Sequence, residues 1–139
     1  MVDHSGYKSS DLTRFFQFGF HPANLIVRFL LEIALLASFA VWTKEQLEGT
    51  AGIILAFLAA LAVATLWGVF AVRGDRSRSG KTVVATPCKL RIGLEFLLFG
   101  MAIWMNHDLS LNWVAVTLFF MTFLHYAISI DRLEWLWNN

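Results

Sequence analysis

Cysteine and proline are nearly absent: one Cys and two Pro stand in 139 residues. A lone thiol, Cys88, excludes an internal disulfide and any C-x-x-C redox pair. Of the four histidines, His4, His21 and His107 fall in the termini or on the opposite side from His125, and no Cys/His spacing of a zinc site occurs. No metal and no other cofactor is therefore expected. Charge is also scarce, at 15% of residues, where a soluble domain carries about 25%. The net charge of +1 offers nothing for nucleic acid to grip. No nucleophile motif or cofactor fingerprint is present, so an enzyme is the less favoured class.

What the chain has in excess is apolar sequence, 58% of its residues. The excess falls in four blocks, about residues 24–42, 52–72, 88–105 and 111–130. Each is near the ~20 residues that a helix needs to cross ~30 Å of hydrocarbon. The expected fold is all-α: an integral membrane four-helix bundle in one domain (residues 23–139), preceded by a segment over 1–22. The first block is long for the apolar region of a cleaved signal and carries Arg28 and Glu32, so it reads as a span. In the preceding segment, Ser9 or Ser10 can cap a short helix. Phe15, Phe16, Phe18 and Phe20 with Lys8 and Arg14 give that helix an interfacial character, and Pro22 ends it.

Loop charge predicts orientation. Arg73, Arg76, Arg78 and Lys81 fall between blocks two and three, and Lys89 at the start of block three. Lys8 and Arg14 lie at one terminus and Arg132 at the other, whereas the other two connections carry only Lys44. The positive-inside rule then puts both termini in the cytoplasm of a multi-pass plasma-membrane protein. Trp42, Trp104 and Trp113 fall at the outer interface, and Trp135 and Trp137 at the inner one.

Two short elements break the apolar pattern, RFLLE at 28–32 and RIGLE at 91–95. Each sets an arginine four residues before a glutamate. Aligning them also matches Leu31 with Leu94 and Leu35 with Leu98, which raises the prospect of two pseudo-repeated helix hairpins. Insertion scales charge roughly 2.5–3.5 kcal/mol for each ionised side chain at a helix centre. Such charges face partners or water inside a bundle. Arg before Glu is the weaker order within one helix, which favours crossed pairs, Arg28 with Glu95 and Arg91 with Glu32. Trp67, His125 and Tyr126 fall at the same depth. Arg28, Glu32, Arg91, Glu95, His125, Trp67 and Tyr126 are thus the candidate ligand-binding residues of an inner-leaflet polar pocket. Small residues, the alanines of block two with Gly93 and Gly100, are expected to let helices approach closely, within the bundle or in a homo-oligomer.

The stretches NLIVRFLLEIALLASFAVW, LWGVFAV, LRIGLEFLLFGMAIW and LHYAIS together resemble the YrdB-like small four-helix bacterial membrane proteins, a family classed as a domain of unknown function. The resemblance covers about residues 24–130. It implies the topology and a bacterial membrane location, and no reaction. This sequence has AVRGDRS where family members commonly carry a proline after the second span. Two functional readings stay open. One is a pocket that binds or transports a small molecule or ion. The other is a non-catalytic accessory or assembly subunit in which the charged elements are purely structural.

Overall fold

The chain enters its first helix through a cap made by its own side chain. In the computed structural model, which describes residues 21–73 and 82–138, Nδ1 of His21 accepts the backbone N–H of Ala23 at 3.2 Å. Pro22 takes the first helical position, where its missing N–H costs nothing. Helix α1 runs over Pro22–Glu45 and α2 over Gly49–Val69. Helix α3 covers Cys88–Asp108, α4 Asn112–Ile128 and α5 Ile130–Asn138. The protein is all-α in its main elements, with α1–α2 and α3–α4 packed as hairpins. The expected interfacial helix around Lys8, Arg14 and Phe15–Phe20, the loop charges Arg76, Arg78 and Lys81, and the Trp135 side chain lie outside what is described.

Burial follows a heptad-like seam. On α1 the seam runs through Asn24, Arg28, Leu31, Leu35 and Ser38, with Phe39 buried beside it; on α3 it runs through Cys88, Arg91, Glu95, Leu98, Ala102 and Met105, with Phe99 and Asn106 beside it. Spacings of three and four alternate, as they do where helices interlock side by side. Leu31, Leu35, Phe39, Val63, Trp67, Leu98, Phe99, Ala102, Leu118 and Tyr126 form one continuous core. Helix α1 packs on α2, α3 and α4, while α2 leans almost wholly on α1. The α2 face turned to α1 carries Gly52, Ala56, Ala59, Ala60, Val63 and Trp67. Those small side chains let the two helices lie close together. Gly52 is required there, because a Cβ would run into the Leu47 carbonyl of the preceding turn. Gly93 and Gly100 do not serve the expected close packing within the chain: a Cβ at either would meet nothing within 4 Å.

The structure departs from the sequence reading at two helix ends and in how the hairpins pack. The second helix stops at Val69, three residues before the end of its apolar block. Phe70–Ala71 then pair in parallel with Val84–Ala85 as a two-residue ladder, β1 with β2. The apolar run at its C-terminal end is therefore extended backbone held by the returning chain. The fourth helix breaks at Ser129, and the residues beyond it form α5 rather than a tail. That helix buries Arg132 and Leu136, the latter against Val72, Cys88 and Ile92. The hairpins are also not related by a symmetric packing, since α1 reaches α4 while the α2 and α3 backbones stay apart.

Helices α1 and α2 are long and apolar enough to cross a membrane, and α4 is a shorter apolar helix. The outward faces are greasy all round. Ile26, Phe29, Ile53, Phe57, Leu90, Leu97, Phe120 and Phe123 are all exposed. Soluble monomers seldom show apolar patches beyond about 300–600 Å².

Candidate functional site

At one end of the bundle, where α1 and α3 begin and α2 and α4 finish, a single carboxylate gathers donors from four helices. Glu95 of α3 is 1% exposed. Its Oε1 accepts Arg91 Nε at 3.0 Å and Arg132 Nη2 at 2.9 Å. Its Oε2 accepts the Tyr126 hydroxyl at 2.7 Å and Arg132 Nη1 at 3.1 Å. Arg28 of α1 adds an ion pair at 3.8 Å. A carboxylate has about four lone-pair positions, and here four hydrogen bonds fill them. Arg132 supplies the two-pronged contact that fixes a carboxylate plane.

The two arginine–glutamate elements are not equivalent. Arg28 bonds Glu32 at 3.1 Å within α1, and the Glu32 side chain remains 26% exposed. On α1 the inward position after Arg28 is Leu31, three residues on; on α3 the inward position after Arg91 is Glu95, four residues on. One residue is about 100° of helix rotation, enough to carry Glu32 off the seam that Glu95 occupies. Both pairings within a helix form, and of the crossed pairs Arg28 with Glu95 is present.

Arg91 has a second task. Its Nη1 donates to the carbonyls of Trp67 at 3.1 Å and Phe70 at 2.5 Å. The last carbonyls of a helix lack partners within it and carry its negative dipole end, so Arg91 terminates α2 as well as serving Glu95. Its guanidinium lies 4.3 Å from the Trp67 ring centroid. Trp67 in turn meets Phe99 edge-on. These contacts tie α2 to α3 although their backbones do not touch closely.

His125 belongs to a different chain of bonds. Its Nδ1 lies 2.8 Å from Asn24 Oδ1, and Asn24 Nδ2 donates to Ser129 Oγ at 2.7 Å. This links α1 to the break between α4 and α5. Both His125 and Asn24 line a groove between α1 and α4, together with His21, Ala23, Val27, Met121, Leu124 and Ile128. Its volume is about 340 Å³. The groove continues past Val27 and Met121 into a second section of about 400 Å³, which runs along Leu30, Ala34, Thr117 and Val114 to Trp113. None of Arg28, Glu32, Arg91 and Glu95 lines either section.

The structure thus brings Arg28, Arg91, Glu95, Trp67 and Tyr126 into one packed cluster. It leaves Glu32 at the cluster's edge and turns His125 to a separate groove. Arg132 is the central residue the sequence reading passed over. The signal for it was the amphipathic run IDRLEWLW, with Arg132 and Leu136 one turn apart. A second polar tie was also missed at the far end: Asn106 Nδ2 donates to Ser38 Oγ at 2.7 Å and to Ala102 O at 2.8 Å. Among the described residues no group of three or more His, Cys, Asp or Glu could hold a metal ion.

Residues 26–123 match the model of a family described as "Protein of unknown function (DUF2568)". The chain is 39% identical over 119 residues to the "Uncharacterized protein YrdB" of Bacillus subtilis (strain 168), covering 86% of this chain and 97% of that protein. No solved structure matches.

Proposed function

This chain belongs to the DUF2568 family, and from its own geometry we propose that it is a four-span membrane protein that holds a small apolar or amphipathic molecule between α1 and α4. In this reading both termini are cytoplasmic and the Glu95 cluster lies in the inner leaflet. The apolar outward faces of all four long helices support the membrane setting. A buried charge cluster in which three arginines converge on Glu95 supports a structural role for these residues, with no chemistry performed at them. Buried ion pairs of this kind specify geometry more than they add stability.

The observation that carries the binding role is the α1–α4 groove. It is lined almost wholly by apolar side chains, with His21, Asn24 and His125 gathered at one end and Thr117 alone in the other section. Ligand sites are commonly built this way, with a large apolar wall and a few fixed polar groups that orient the guest. Organic extraction of purified protein, followed by mass spectrometry, tests the reading. A hydrophobic molecule should co-purify with the wild type and be lost from Met121→Trp, which fills the point where the two sections meet. Equal recovery from both proteins would overturn it.

A further inference from the structure

The hydrogen bonds around His125 define what sort of molecule the groove accepts. Asn24 donates its amide N–H to Ser129, so its carbonyl oxygen is the atom that faces His125 Nδ1 at 2.8 Å. A carbonyl oxygen can only accept. In a neutral imidazole Nδ1 must then carry the proton, and Nε2 is left as an acceptor. The ring is 4% exposed and lines the groove. Among the described residues no hydrogen bond reaches Nε2. An acceptor on a ring that lines an apolar channel is met by a donor from whatever fills that channel.

The shape of the groove narrows the choice further. Its lining on α1 runs from His21 to Ala34, which at ~1.5 Å per residue is roughly 20 Å. That is longer than one leaflet of a ~30 Å hydrocarbon core. The two sections hold about 400 and 340 Å³. A single extended hydrocarbon chain fits this length and these volumes. No Lys, Arg, Asp or Glu lines the groove, so a charged headgroup would find no counter-ion there.

Resting on the binding role proposed above, we infer that the groove takes a long-chain lipid alcohol, whose neutral hydroxyl donates to His125 Nε2 while its single chain lies along Val27, Leu30, Met121 and Leu118 toward Trp113. Its test uses the full chain in lipid nanodiscs with three photoactivatable C16 probes that differ only at the head: the free alcohol, its methyl ether and its phosphate ester. After irradiation, labelling of α1 and α4 peptides is measured by mass spectrometry. The alcohol should label them several-fold more than either of the other two. His125→Phe should reduce alcohol labelling to the level of the ether, and Met121→Trp, which leaves the imidazole untouched, should abolish it. Equal labelling by alcohol and ether would overturn the hydroxyl–His125 bond while leaving the groove as a binding site. Strongest labelling by the phosphate would overturn the neutral headgroup. Labelling that ignores Met121→Trp would overturn the groove itself.

Discussion

Arg132 holds both oxygens of Glu95, Nη2 at 2.9 Å from Oε1 and Nη1 at 3.1 Å from Oε2. The two residues are 37 positions apart, so this grip joins the C-terminal helix to the centre of the bundle. Around it, the cluster's energetics can be tested one side chain at a time.

Glu95→Gln and Glu32→Gln should differ sharply. The first leaves the guanidiniums of Arg28, Arg91 and Arg132 facing a neutral amide. Removing one member of a buried pair costs about 3–5 kcal/mol. Glu32 is part exposed and pairs with Arg28 within its own helix, and an exposed pair is worth roughly 1 kcal/mol or less. Denaturant unfolding in detergent micelles measures both. Equal losses would contradict the rotation that separates the two elements.

Tyr126→Phe removes one hydrogen bond to a charged acceptor and little volume. A loss of about 1.5–3 kcal/mol is expected, with no effect on binding in the groove, because the Tyr126 hydroxyl points to Glu95.

Arg91→Lys should not behave as a conservative change. A lysine ammonium cannot span Glu95 and the carbonyls of Trp67 and Phe70 as the planar fork does. Besides a stability loss of about 1.5–3 kcal/mol, amide exchange near Trp67–Ala71 should quicken, since the end of α2 loses its cap. Unchanged exchange there would mean that the cap contributes nothing.

Leu136→Ala tests the C-terminal helix separately from its arginine. Leu136 is 0% exposed, and truncating a buried leucine costs about 2–5 kcal/mol. Ending the chain at Ser129 should cost more than this change, because it also removes Arg132. If neither matters in unfolding experiments, α5 is not part of the fold.

At the far end, Ser38→Ala should cost about 0.5–1.5 kcal/mol, since it takes one of the two acceptors from the Asn106 amide. Combining it with Asn106→Leu should recover most of that loss, because both polar partners are then gone. A double-mutant cycle gives the coupling directly.

How far these sites were legible depended on what surrounded each residue. Arg28, Arg91 and Glu95 announced themselves, because ionised groups are costly in apolar runs and needed a reason. Arg132 stood in a polar stretch where charge is cheap, so nothing in its neighbourhood marked it as buried. Ser38 and Asn106 are uncharged and fit quietly among Leu and Ala. The two arginine–glutamate elements read alike because four matched positions cannot reveal a helix turned by one residue. The four apolar helices were evident from length and composition. The end of α2 was not, since Phe70–Val72 is as apolar as the helix before it and only a long-range pairing with Val84–Ala85 takes it out of helix.

The reach of Arg132 across the chain also sets an order of events during synthesis. When α3 leaves the ribosome, Glu95 can be met by Arg91 beside it and Arg28 before it. Tyr126 and Arg132 have not yet emerged. The carboxylate's firmest partner arrives only with α5, so the bundle is latched late, and a chain cut short before α5 would never finish closing.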